Sequence, residues 1–215
     1  MVVRAVGSLV KMIAPTLDES GFARAGKLFY RSEGDLYGII EISLLSKPRD
    51  EVTEFRVEWG IVLPGSFARH HPYGGPENLS NVYAALGRAL APPPKHYAGL
   101  FPRERGIDAV WGVPEGSREG VQECADALRK GLKKDVLPIV LDLLKPGALL
   151  EEIYAKKNKS RLSYGTWQCD AILLLLEDGP IAQVRELASQ LGPEMDEFLE
   201  WVERRLRQRE REKQV

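Results

Sequence analysis

Long apolar runs are missing from this 215-residue chain: the longest unbroken stretch, Ala171 to Leu176, falls far short of the roughly 20 residues that a bilayer span requires. A membrane-spanning helix is therefore not expected. The opening residues Val2 to Ala14 are interrupted by Arg4 and Lys11 and lack a small-residue cleavage pattern, so they read as a helix and not as a secretion signal. Cysteine is nearly absent as well. Cys124 and Cys169 both sit in apolar stretches of helical spacing, which suits buried, reduced thiols and a cytoplasmic location better than a disulfide framework. Net charge is lacking too, with 30 basic residues against 31 acidic ones. A global field that would steer a polyanion is excluded, and nucleic acid is not the expected partner. The weak remaining route to nucleic acid is the basic end of the chain, Arg204 to Lys213.

What is present describes a globular protein. A hydrophobic fraction of 44% and a charged fraction of 28% suit a folded domain that needs no metal or disulfide to hold its core. Between Thr53 and Leu63 the residues alternate: Phe55, Val57, Trp59 and Ile61 share one parity, and Glu54, Arg56 and Glu58 the other. Period two predicts a half-buried antiparallel strand with the acidic parity in water. Lys27 to Arg31 and Leu36 to Leu45, joined by a turn at Ser32 to Asp35, predict two strands before it. Val3, Val6, Val10, Ile13 and Leu17 recur at helical spacing ahead of the meander and predict a covering helix, kinked or broken at Pro15 and stopped by Gly21-Phe22.

From residue 64 to 106 a long connection gathers glycines, prolines and all three histidines. Leu79, Val82, Tyr83, Leu86 and Leu90 predict a helix over Glu77 to Ala91, ended by Pro92-Pro93-Pro94. Strands are expected around His96 to Phe101 and Ile107 to Val113. Beyond Ser117, which reads as a helix N-cap, every segment is helical in pattern, including the apolar stretch Thr166 to Glu177 and a final helix whose charged end, Arg204 to Lys213, is expected to fray. The expected fold is α+β: an antiparallel sheet of four to five strands covered by an N-terminal helix, followed by a helical C-terminal region. Residues 1 to 134 would form the α+β domain and 135 to 215 the helical region packed on it.

Ala14-Pro15, Leu17, Gly21-Phe22, Arg24-Ala25-Gly26-Lys27 and Phe29-Tyr30-Arg31 together resemble the start of the family called domain of unknown function 4304. Trp59-Gly60-Ile61-Val62-Leu63 resembles the family's next block, and Gly106 to Val113, with Asp108 and Trp111, its last strand. The chain departs from that pattern at the apolar run Ile39 to Leu45 and at Val110-Trp111. The resemblance implies a fold and a bacterial origin, and no site residue is carried over from it.

No stretch has the spacing of a catalytic or cofactor motif, and no cofactor is expected. His70, His71 and His96 could meet at a metal, but adjacent histidines point apart, and a surface loop is the plainer reading. Gly74-Gly75-Pro76 could offer N–H groups to a phosphate, but a helix start explains it as well. Ser66 and Ser80 lack a nucleophile elbow. The best candidate is a patch of arginine and aromatics that suits a carboxylate-rich protein partner or a nucleic acid strand: Arg24, Arg31, Arg69, His70, His71, Tyr73, Arg88, His96, Tyr97, Arg103 and Arg105. The sequence thus points to a non-catalytic protein-binding module. The alternative is an enzyme acting on an anionic or phosphate-bearing small molecule at residues 70 to 105.

Overall fold

A computed structural model describes residues 4–45, 51–63, 84–103, 106–145, 147–155 and 167–212. The first element is α1 (Arg4–Asp18), with Val6, Leu9, Val10, Ile13 and Leu17 on its buried stripe. The helix runs on through Pro15 and does not restart there. It ends as expected: Gly21 takes φ +78°, and the Phe22 N–H donates to Leu17 O at 3.0 Å, satisfying a last-turn carbonyl.

Among the described residues seven antiparallel strands follow: β1 (Ala23–Ala25), β2 (Leu28–Glu33), β3 (Leu36–Leu44), β4 (Val52–Val62), β5 (Ala84–Ala89), β6 (Tyr97–Arg103) and β7 (Gly106–Pro114). Their order is β1-β2-β3-β4-β7-β6, with β5 also paired to β4. The sheet is larger than expected for two reasons. Three residues after Gly21 add an edge strand that is too short to show a period. Residues 84–89 form a strand and not part of a helix over Glu77 to Ala91, whose first seven residues lie outside the described ones. Alanine and leucine favour a helix locally, but Glu58 to Val62 of β4 offers an unsatisfied edge, and ladder pairing overrides a propensity worth tenths of a kcal/mol per residue.

The alternation in β4 is borne out on its apolar parity. Phe55, Val57, Trp59 and Ile61 are all buried. Glu58, however, is not on a wet face: it is 4% exposed, and Arg56 lies 3.6 Å from its carboxylate. The sheet's second face carries its own small apolar cluster, Leu28, Ile39 and Val62, with Tyr30 and Tyr37 against it.

Helices cover the first face. α2 (Arg118–Gly131) starts at Ser117, whose Oγ accepts from the Gly120 N–H at 3.0 Å, and passes through a π turn (Leu132–Val136) into α3 (Leu137–Leu143). Pro138 explains the π turn: it has no N–H for the carbonyl four residues back, and the Leu137 N–H donates five residues back, to Leu132 O. Residue 134, expected as a domain boundary, lies inside this continuous helical run. α3 crosses β3 where Gly38 leaves room, since a Cβ there would lie 2.7 Å from Val140 Cγ1. One core continues from α1 and the sheet into α4 (Ala148–Ala155), α5 (Trp167–Leu175), α6 (Ile181–Ala188) and α7 (Asp196–Glu212). Cys124 and Cys169 are free and buried in it, and burial pushes the Cys124 thiol up to about 12, which leaves it inert.

The charged end of α7 does not fray. It remains helical to Glu212, Leu206 is fully buried, and Arg209 is only 6% exposed. The Arg209 guanidinium reaches the C-terminal end of α5 and donates to Leu176 O at 2.6 Å and Gly179 O at 2.9 Å. A cation there also complements the negative end of the helix dipole. Around it, Arg185 bonds to Glu203 and Glu210, and Arg205 to Glu177, so these basic groups are matched by acids.

Two outcomes follow for stability. Arg209→Ala strips these carbonyls of their donor and is expected to cost about 2 kcal/mol in urea unfolding; a loss below 0.5 kcal/mol, an exposed-site value, counts against the clamp. Asp170, on α5, is 7% exposed with Oδ2 unbonded, and burial raises its carboxyl to about 7 from the usual 3.8. The folded state therefore holds the proton more tightly than the unfolded one. Stability falls as pH climbs from about 4 to about 7 and is level above that, a span on the order of 4 kcal/mol. Asp170→Asn should flatten that slope in unfolding curves taken across this range; an unchanged slope contradicts the assignment.

Candidate functional site

β4 shares one edge between two partners. Residues Val52 to Phe55 pair with β7, and Glu58 to Val62 pair with β5, so the sheet forks between them. Trp111 sits in the fork. Its ring stacks on Phe55, with centroids 6.0 Å apart, and its Nε1–H donates to Leu90 O at 2.7 Å. The Leu90 N–H in turn donates to Val57 O at 2.8 Å, which ties the end of β5 back to β4. A 3-10 turn (Pro94–His96) then brings the His96 ring onto Trp111, 6.3 Å between centroids and 17° from parallel.

Beside this stack opens a cleft of about 410 Å³. Val52 and Glu54 of β4, Gly112 and Pro114 of β7 and Ala98 of β6 form one side. Lys95, His96 and Tyr97 come from the turn into β6, and Gly120 and Glu123 from the first turns of α2. Gly112 is a packing requirement, because a Cβ there would come within 3.0 Å of Ala98 Cβ and 3.1 Å of Val52 Cγ1. Lys95 Nζ lies 2.6 Å from the Glu123 carboxylate, both groups largely in solvent. Tyr97 is 48% exposed at the rim, while His96 is only 7% exposed.

The residues expected from the sequence divide. His96 and Tyr97 meet in the cleft. Arg24 lies exposed on β1 and Arg31 half-buried on β2, at the other end of the sheet, with β3, β4 and β7 between them and β6. Arg31 also has a structural task, donating to Ser20 O at 2.7 Å just past the end of α1. Arg88 is exposed on β5 in register with Trp59, and Arg103 ends β6. Arg69, His70, His71, Tyr73 and Arg105 lie outside the described residues, as do Ser66, Ser80 and Gly74-Gly75-Pro76. Among the described residues no three histidine, cysteine or acidic side chains come close enough to hold a metal ion. No described helix is long and apolar enough to cross a membrane.

Sequence reasoning missed Glu54, Lys95 and Glu123. Lys95 adjoins His96 and follows three prolines, which is a usable signal. Glu54 and Glu123 had none, because only the β4–β7 register and the docking of α2 bring them to one opening. Comparison with protein-family models, curated proteins and solved structures finds no match.

Trp111→Phe removes the donor to Leu90 O and thins the stack under His96. We expect a loss of about 2 kcal/mol in denaturant unfolding, with faster hydrogen exchange at the Leu90 amide. Unchanged exchange at Leu90 excludes Trp111 as the tie of the fork.

Proposed function

We propose that the protein is a non-catalytic interaction module that binds a partner protein at the cleft between β6 and the start of α2. The observation that carries this reading is the rim itself: Tyr97 stands out from it beside an open cleft whose Lys95 and Glu123 are bonded to each other. A rigid aromatic next to a concave surface is the common anchor of a protein interface. Buried thiols and the lack of a spanning helix among the described residues are compatible with a cytoplasmic setting, which belongs to the proposal, as does the resemblance to domain of unknown function 4304.

A second reading, an enzyme acting on an anionic or phosphate-bearing small molecule at residues 70 to 105, is favoured by His96 and Lys95 side by side at the opening. Thermal-shift measurements with inorganic phosphate and nucleotides separate the two, since a ligand at 100 times its Kd stabilises by about 2.7 kcal/mol. No shift with any of them removes the enzyme reading.

The module is tested by capture from a native lysate with wild type and Tyr97→Ala in parallel, followed by titration of the purified captured protein. Tyr97→Ala is expected to weaken binding at least about tenfold, or 1.4 kcal/mol. Equal affinity for both chains overturns the placement of the interface at this cleft.

A further inference from the structure

Two hydrogen-bonding side chains adjoin each other at the cleft, and neither bonds to any described residue. His96 is more than nine-tenths buried, yet its ring makes no such bond and is held by the stack on Trp111. Neither ring nitrogen is sealed inside protein without a partner, so the imidazole edge opens onto the cleft that the residue lines. Buried polar groups are left unpaired in this way where solvent or a ligand reaches them. Tyr97 is the reverse case. Among the described residues it is the one large aromatic side chain that is exposed, and its hydroxyl bonds to none of them, His96 included. The ladder of β6 with β7 slips between Tyr97 and Gly99, a bulge of the kind that re-aims side chains beside binding sites.

The walls narrow the shape of the occupant. Val52, Ala98, Gly112, Pro114 and Gly120 line the cleft with short apolar groups, and its volume of about 410 Å³ is that of a pocket for a small organic group. Two of these walls are bare backbone of necessity, since a Cβ would come within 3.0 Å of Ala98 Cβ at Gly112 and within 2.9 Å of Pro114 Cγ at Gly120. An apolar hollow with one buried hydrogen-bonding ring matches a phenol, which has an apolar body and a single polar tip. We propose, resting on the interaction-module reading above, that the partner is a second copy of this chain. Tyr97 of each copy enters the cleft of the other, and its hydroxyl hydrogen-bonds to a ring nitrogen of the other copy's His96. A knob beside its own hole is a self-complementary patch, and a two-fold axis closes both contacts at once. Each unpartnered group thereby gains the partner that its own chain does not supply.

Sedimentation velocity on the full chain, at concentrations up to about 100 μM so that a Kd in the micromolar range is seen, tests the proposal. The wild type should pass from monomer to dimer as concentration rises. Tyr97→Ala should weaken the dimer at least about tenfold. Tyr97→Phe deletes the hydroxyl alone, and His96→Phe keeps a ring on Trp111 and deletes the nitrogens. Each should weaken the dimer about tenfold, and the double variant no further than either, because both remove the same bond. A double loss of about a hundredfold marks two unrelated effects and overturns the contact. A dimer indifferent to both Tyr97 variants overturns it as well, whatever His96→Phe does to folding, since Tyr97 stands in solvent. A chain that stays monomeric overturns the second copy as occupant; if N-acetyltyrosinamide then raises its melting temperature, a phenol from another source fills the cleft. If the chain is monomeric while Tyr97→Ala still loses the partner captured from lysate, the interface stands and the second copy falls. If Tyr97→Ala binds that partner as well as the wild type does, the interface falls too.

Discussion

The open edge of β4 is the constraint from which the rest of the arrangement follows. Of its eleven residues, Phe55 to Val62 meet β3 on one side, and on the other the strand must satisfy backbone groups that no single neighbour covers. The chain divides the task between β5 and β7. A divided edge leaves a gap in the ladder, and Trp111 fills it with a ring that packs on Phe55 and an N–H that ties down Leu90. The prolines after Leu90 then turn the chain so that His96 lies over the same indole and β6 can start beside β7. The cleft is a by-product of this construction: it opens where the two strands part from the helix that covers them.

The helical half obeys the same demand that polar backbone groups find partners, met by side chains instead of strands. Ser117 closes the start of α2, Arg31 reaches the carbonyl past the end of α1, and Arg209 takes up carbonyls at the end of α5. Two of these are arginines that would pass for surface charge in a list of residues. Their cost of burial is offset by short bonds to backbone oxygen, which is why a terminal helix rich in charge stays folded against the core. Asp170 is the opposite case, a carboxyl drawn into the core without a partner for Oδ2, whose burial favours the neutral acid and pushes it up to about 7.

Much of the fold was legible in the residues. The stripe of α1, the stop at Gly21-Phe22, the apolar parity of β4 and the cap at Ser117 rest on short-range rules, and each stands as expected. Residues 84–89 went the other way because a local preference for helix lost to pairing with a distant strand. Glu58 and Arg209 were misplaced for a related reason: polarity predicts exposure only when no partner is available, and their partners come from outside the pattern being read. The candidate site was half legible. His96 and Tyr97 follow three prolines in an aromatic-bearing connection and stood out. Glu54 and Glu123 belong to regular elements whose outward faces look alike until those elements are packed.

By itself, the sequence determined the class of the fold, the strands that alternate, the helix that covers them and the burial of both cysteines, because polarity periods and caps act between residues a few positions apart. Only the tertiary structure decided that β4 would be shared, that Arg209 would be a clamp, and that an imidazole, two carboxylates and a tyrosine from separate elements would border one opening. Those depend on register and on helix docking, which are set by contacts among residues tens of positions apart and leave no local trace.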